Sequence, residues 1–293
     1  MERVPVLIAP RPAFTVPIAH GLRLDLGPRT LVMGILNVTP DSFAGGVMEP
    51  DRAVDLALRM EADGADVIDI GGESTRPGAE PVSDAEELGR VLPVVERLQG
   101  RVSVPISIDT YKATVAEAAI AAGASIVNDI SGLGYDPTLG SVVARTGAGL
   151  VLMHTRGRSR DMYRDAGYGD VAAEVSADLQ QALARADSQG VPRARVILDP
   201  GIGFAKRAEH SRAVIVNLPV LARLGRPLLV GPSRKSFLVD GGAPLPPAAR
   251  DWGTAAAVTA SVMGGAHLVR VHNVAAMVQV VRVADALRAL APE

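Results

Sequence analysis

Eight times between Leu31 and Leu290 a short apolar run is followed by a loop and then by helix-like sequence. The runs are Leu31–Val38, Asp66–Ile70, Val104–Ile108, Ser125–Ile130, Gly149–Met153, Arg195–Leu198, Pro227–Val230 and His267–Val271. Helical spacing lies between them, for example in Asp51–Asp63, Asp84–Gln99, Lys112–Ala122, Val171–Gln189 and Ala275–Leu290. Ser83 followed by Glu86 reads as a capping box, and Gly64, Gly100, Gly123 and Gly190 read as helix stops. Strands that alternate with helices pair in parallel, and eight such units favour a closed (β/α)8 barrel over an open sheet. The fold expected is therefore α/β, one barrel over residues 31–293 preceded by a proline-rich hairpin or strap over residues 1–30. A barrel of roughly 250 residues uses most of the 293 residues available.

Each strand is followed by a polar residue: Asn37, Glu73, Asp109, Asn128, His154, Asp199, Ser233 and His272. In such barrels the functional face is the one where the strands end. Two groups of residues there carry chemistry. Arg76, Arg270 and His272, with the Thr75 hydroxyl and the Asn37 amide, suit an anion as large as a diphosphate. Arg270 lies inside an apolar strand, where an unpaired charge is costly. Asp109, Asn128 and Asp199, with Lys235 opposite, can pair with a flat heterocycle bearing N–H donors and a carbonyl. An aminopyrimidinone fits that edge, and so does a sugar. Met153 and Phe204 offer flat apolar walls, although ordinary core packing accounts for them equally well. Asn37 is a candidate ligand for Mg²⁺, which takes one or two protein oxygens and fills its shell with phosphate and water. His20, His210 and His267 have no partner signature and read as structural.

Other features exclude function classes. The net charge of −2 gives no basic surface for nucleic acid. The absence of cysteine removes disulfides, thiolate metal sites and Cys nucleophiles. No apolar run is long enough for a membrane span, and no signal peptide is read, so a cytoplasmic location is expected. No Walker A or metalloprotease pattern occurs, and Asp199-Pro-Gly-Ile-Gly-Phe204 is not a dinucleotide fingerprint.

Four segments are jointly specific: Asn37-Val-Thr-Pro-Asp-Ser-Phe43, Gly71-Gly-Glu-Ser-Thr-Arg-Pro-Gly78, Asp199-Pro-Gly-Ile-Gly-Phe204 and Ser233-Arg-Lys-Ser-Phe237. In these, and in strand order from about Leu31 to the end, the chain closely resembles the dihydropteroate synthase family. The resemblance implies a transferase that joins 6-hydroxymethyl-7,8-dihydropterin diphosphate to 4-aminobenzoate and releases pyrophosphate. It implies a homodimer, Mg²⁺ as cofactor, and SN1-like departure of the diphosphate. Asp109, Asn128, Met153, Asp199, Phe204 and Lys235 would hold the pterin. Asn37, Thr75, Arg76, Arg270 and His272 would hold the diphosphate, with Asn37 on the metal. Phe43, Pro77, Phe204, Ser233 and Arg234 would shape the aminobenzoate pocket, where sulfonamides would compete. Asp109, Asp199, Lys235, Arg270 and His272 would carry catalysis, and the loops around Thr39–Gly46 and Ser74–Gly78 would close over the site.

The chain departs from the family pattern at several positions. Ala44-Gly45-Gly46 stands where a small residue followed by Asp-Gly-Gly is usual, so the first loop is shorter and lacks its second aspartate. Asn273 replaces a frequent Asp, Ala205 a glycine, Ser211 an asparagine, and Thr155 a common Met. The competing readings are a pterin-binding paralogue without activity, a pterin-dependent methyltransferase on a related barrel, and sugar-phosphate aldolase or isomerase chemistry. The methyltransferase would lack the Ser-Thr-Arg-Pro and Ser-Arg-Lys-Ser-Phe segments. The aldolase or isomerase would usually need a Lys or Glu inside a strand, and Lys112, Lys206 and Lys235, the only lysines, lie outside the apolar runs.

Overall fold

The computed structural model describes residues 8–39, 49–76, 78–164, 166–239 and 245–290. Its eight barrel strands are β3 (Leu31–Asn37), β4 (Val67–Gly71), β5 (Ile106–Asp109), β6 (Ile126–Asp129), β7 (Gly149–Met153), β8 (Val196–Asp199), β9 (Leu229–Val230) and β10 (Leu268–Val271). They pair in parallel in the order β8-β7-β6-β5-β4-β3-β10-β9. The ring closes where Leu198 bridges to Leu228 and the Leu198 N–H donates to the Pro227 carbonyl at 2.9 Å. The expected barrel is therefore present. Strand ends shift by a residue or two from the apolar runs, and the seventh run is halved, from Pro227–Val230 to two residues. Proline cannot donate to the ladder, so this strand begins beyond Pro227.

Nine helices among the described residues surround the ring: α1 (Pro50–Ala62), α2 (Asp84–Leu98), α3 (Ala113–Ala121), α4 (Leu139–Thr146), α5 (Val171–Ser188), α6 (Ala208–Val216), α7 (Leu218–Ala222), α8 (Asp251–Met263) and α9 (Val274–Ala289). Ser83 caps α2 by accepting from the Glu86 N–H at 3.2 Å. The return half of the capping box is absent, because the Glu86 carboxylate pairs with Arg90 instead. Gly64, Gly100, Gly123 and Gly190 all have positive φ, as helix stops require. None of the described helices is long and apolar enough to cross a membrane.

The N-terminal segment forms an antiparallel hairpin of β1 (Phe14–Pro17) and β2 (Arg23–Leu26). Strand alternation turns Val16, Ile18, Leu24 and Leu26 toward the start of the barrel. There they pack with Leu31, Met33, Val67, Ile126, Val151, Ile197, Leu229 and Leu268 in one buried cluster. The hairpin thus plugs the end of the barrel opposite the strand C-termini and shares its core.

His267, read as structural, sits at this seam. Its Nδ1 accepts from the Leu228 N–H at 3.1 Å, and its Nε2 bonds the Pro12 carbonyl at 2.9 Å. Burial lowers its pKa to about 4. A histidine held below its ordinary value stabilises the fold above pH ~6.5, and that contribution is lost as pH falls toward 4. His267→Gln is expected to cost about 1–3 kcal/mol at pH 7. The gap to wild type should narrow as pH falls from 7 to 5. Urea midpoints for both proteins at the two pH values test this; a gap independent of pH would refute it.

Candidate active site

Inside the barrel the strand alternation places Asp69 and Arg270 on the same wall as the polar strand ends. On β4, Val67 faces the barrel floor, Ile68 and Ile70 face the helices, and Asp69 faces inward between them. Leu268, Val269 and Val271 fix Arg270 inward on β10 by the same rule. The Arg270 guanidinium donates through Nε to Asp69 at 2.6 Å and through Nη2 to Asp109 at 2.6 Å. Asp69 also accepts from Asn128 Nδ2 at 3.0 Å. Four residues from four strands therefore form one buried network around a single cation.

The sequence alone places Arg270 in an anion group and Asp109 and Asn128 in a heterocycle group. The geometry links the two through Arg270, which spends two of its five N–H donors on carboxylates and keeps the rest. Asp69 was not singled out from the sequence. The signal was available, because a carboxylate inside an apolar strand needs a buried cation, the argument already applied to Arg270.

The electrostatics are those of a buried pocket holding three carboxylates, Asp69, Asp109 and Asp199. Burial pushes Asp109 up to about 7, Arg270 opposes the rise, and Asp69 adds to it. Burial raises Asp199 as well, with Lys235 opposing. Lys235 is brought down to about 8 by burial, against the attraction of Asp199. Its ammonium donates to the Ile202 carbonyl and lies 4.5 Å over the Phe204 ring. Met153 is buried with Tyr111 and Ile130, and Phe204 and Tyr135 pack against them. Met153 and Phe204 thus share one small apolar cluster that adjoins Lys235.

His272 lies beside this network. Its backbone N–H donates to Ser233 Oγ at 3.1 Å, and its Nδ1 is 2.9 Å from the same oxygen. Burial first, and then the charges of Arg270, Arg234, Lys235 and Arg76, bring its pKa down to about 3. The imidazole is thus neutral at pH 7. Arg76 is exposed on the β4–α2 loop, close enough for its charge to reach His272. Thr75 is half-buried next to it.

Asn37 ends β3, and its Oδ1 lies 3.6 Å from where a Cβ on Gly71 would be, the same distance as Asp109 Oδ2. The two oxygens thus flank one glycine. No cluster of three or more His, Cys, Asp or Glu side chains that could enclose a metal occurs among the described residues. A lone carboxamide oxygen suits Mg²⁺ where water and phosphate fill most of its shell.

Arg234 is engaged away from the network. It donates to Asp251 through Nε at 2.7 Å and Nη2 at 2.9 Å. Asn273 donates to the same carboxylate at 2.9 Å and caps α9. An aspartate at 273 would oppose Asp251, so the amide suits this chain. Ser211 accepts from the Gly203 N–H at 3.2 Å. Phe43, Pro77 and the altered Ala44-Gly45-Gly46 segment lie outside the described residues, as does most of the first closing loop. Two strand-end residues serve other ends: Glu73 pairs with Lys112 at 2.7 Å, and His154 bonds Lys206 at 2.7 Å. Of the histidines read as structural, His20 bonds the Ala124 carbonyl and His210 packs edge-on to Tyr168.

Comparison with known proteins agrees with this geometry. The family model described as pterin binding enzyme matches residues 33–272. A dihydropteroate synthase of Synechocystis sp. is 48% identical over 277 residues, covering 94% of this chain and 96% of that protein. The solved structure of Xanthomonas albilineans dihydropteroate synthase with 4-aminobenzoic acid superposes with a TM-score of 0.87 at 40% identity, covering 94% of this chain and 100% of that one. Burkholderia cenocepacia dihydropteroate synthase complexed with 7,8-dihydropteroate gives a TM-score of 0.84 at 42% identity, covering 94% and 97%. The chain belongs to the dihydropteroate synthase family of pterin-binding enzymes.

Proposed function

We propose that this chain is a dihydropteroate synthase, condensing 6-hydroxymethyl-7,8-dihydropterin diphosphate with 4-aminobenzoate and releasing pyrophosphate. The observation that carries the reading is the buried Arg270 network, which joins an array of carboxylates and an amide to a cationic rim. No feature favours the non-catalytic, methyltransferase or aldolase readings.

In this reading Asp109, Asn128 and Asp199 accept from and donate to the pterin edge, and Lys235 contacts its ring carbonyl. Phe204 and Met153 cover the ring faces. Asp69 keeps Arg270 and Asn128 aimed at the ligand. The C–O bond between the pterin methylene and the diphosphate breaks first, and its electron pair leaves with the diphosphate. The carboxylates of Asp109 and Asp199 favour the cation that remains on the pterin. Arg270, Arg76 and the Thr75 hydroxyl stabilise charge growing on the leaving group. His272 contributes as a neutral donor: with Ser233 O–H donating to Nδ1, Nε2–H is directed outward. The aminobenzoate nitrogen then forms the new C–N bond and releases a proton. This aryl amine is already neutral at pH 7, so no strong base is needed. Mg²⁺, when bound through Asn37, would neutralise part of the diphosphate charge. Phe204, Ser233 and Arg234, with Phe43 and Pro77, would line the aminobenzoate pocket, and sulfonamides would compete there.

A homodimer fits the outer face of α8 and α9. The single tryptophan, Trp252, is 88% exposed at the start of α8, and Val283 and Leu287 on α9 and Leu290 just beyond it are exposed. Exposed apolar residues of this kind mark association surfaces.

The test is pyrophosphate release with pterin diphosphate and Mg²⁺, with and without 4-aminobenzoate. Release that requires aminobenzoate and is inhibited by a sulfonamide is expected. Chelation with EDTA should reduce the rate at least tenfold, and added Mg²⁺ should restore it. Binding of pterin diphosphate without turnover would favour the non-catalytic paralogue.

A further inference from the structure

The loop from Asp199 to Lys206 carries two residues of the proposed pterin pocket, Asp199 and Phe204. Five consecutive carbonyls in it each accept from a side chain. Gly201 and Phe204 accept from Lys206 Nζ, both at 3.1 Å. Ile202 accepts from Lys235, Gly203 from the Tyr163 hydroxyl at 3.1 Å, and Ala205 from the Tyr168 hydroxyl at 3.0 Å. Three residues of this ribbon have positive φ: Gly201, Gly203 and Ala205. Left to itself such a backbone would relax, because an alanine pays for that conformation.

Lys206 is the central donor. Its side chain folds back under its own loop and is 2% exposed. Its third partner is His154 Nδ1 at 2.7 Å, and His154 Nε2 bonds Asp178 Oδ2 at 3.0 Å. The directions of these bonds are coupled. An ionised Asp178 requires the proton on Nε2, which leaves Nδ1 bare. Lys206 must then donate to Nδ1 as well as to both carbonyls, which takes all three hydrogens of an ammonium. Burial brings the Lys206 pKa well below its ordinary value, against the attraction of Asp199; the three acceptors ranged around Nζ are the geometry that an ammonium satisfies. Arg156 also bonds Asp178, at 3.2 Å, and is held independently by Glu174 at 3.0 Å.

We propose that Asp178, His154 and Lys206 form a positioning relay that fixes the Asp199–Phe204 loop in the shape that binds the pterin ring. The inference rests on the pterin reading of the site, but none of the three residues belongs to the donor set assigned to the substrates. They act through Asp199 and Phe204. The histidine tautomer is the element on which the relay turns, because the other tautomer would oppose Lys206 with an N–H.

Asp178→Ala tests the relay from its solvent-exposed end. With Asp178 gone, Arg156 faces Nε2 and favours the tautomer with the proton on Nδ1. Calorimetric titration with pterin diphosphate is expected to show at least tenfold weaker binding, with kcat at saturation within threefold of wild type. Glu174→Gln, which loosens Arg156 without touching His154, should change neither. Imidazole ¹⁵N spectra should show His154 as Nε2–H in wild type, with Nδ1 unprotonated, and altered in Asp178→Ala. Unchanged pterin affinity in Asp178→Ala, or an equal loss in Glu174→Gln, would overturn the proposal. If Asp178→Ala does not fold, the wild-type spectrum decides, and an Nδ1–H tautomer there overturns the relay. Wild-type binding without turnover would count against the synthase reading while leaving the relay to be judged by the titration. A wild type that does not bind the pterin would overturn both.

Discussion

Arg270→Ala is expected to lower kcat/KM by at least a hundredfold, equivalent to about 2.7 kcal/mol of transition-state stabilisation. The guanidinium holds Asp69 and Asp109 at 2.6 Å each and is the cation through which the carboxylate array meets the anion rim. Its removal leaves two buried carboxylates without their partner and, on the proposed mechanism, removes a contact that strengthens as the diphosphate departs. Breaking a buried charge pair by deleting one member typically costs about 3–5 kcal/mol of stability. The pH dependence has a definite sign. Arg270 lowers the Asp109 pKa, so its loss pushes that carboxyl higher still. A carboxyl raised in the folded state contributes stability that is present below pH ~3.9 and lost as pH rises through the folded value. The stability gap between Arg270→Ala and wild type should therefore widen from pH 5 to pH 8. Steady-state pyrophosphate release and urea unfolding at both pH values test the two parts. Activity within threefold of wild type would remove Arg270 from its role.

Gly201→Ala should damage the fold more than any other single methyl group in the site. A Cβ there would lie 1.9 Å from the His154 carbonyl oxygen, and φ is +66°. That carbonyl cannot easily retreat, because the His154 N–H is bonded to the Asp199 carbonyl at 2.9 Å. The left-handed conformation alone costs an alanine about 1–2 kcal/mol. Gly225→Ala isolates that strain, since Gly225 has φ of +68° and nothing within 4 Å. Gly201→Ala is expected to lose at least ~3 kcal/mol, lowering Tm by roughly 6–12 °C in a domain of this size. Gly225→Ala should lose no more than the ~1–2 kcal/mol of strain. Equal losses at the two positions would show that the loop yields to the clash.

The barrel was legible because each strand is a short, mostly apolar run, and the helices because glycine and cap residues mark their ends. Asp109, Asn128 and Asp199 stood out because they lie at or next to the ends of strands, and Lys235 because it follows the Gly231-Pro232 turn after one. Asp69 escaped the same reading because it sits mid-strand, where position along the chain does not distinguish an inward carboxylate from an error in the apolar pattern. Its role depends on Arg270, 201 residues away, and the pairing exists only once the barrel closes. The His154–Lys206 contact spans 52 residues and was hidden for the same reason. Arg234 shows the opposite case, since its motif was plain but its partner Asp251 lies on a helix that no motif marked.

The hairpin that seals the barrel floor governs traffic. Val16, Ile18, Leu24 and Leu26 fill one end, so a ligand in the barrel can enter only from the face where the strands end. On the proposed reading both substrates and both products pass through that face, and a ligand on the Asp69–Arg270 layer sits behind one at the rim near Ser233. Entry and exit become a queue, first in and last out. An excess of the rim ligand should therefore slow exchange of the deep one without any contact between them.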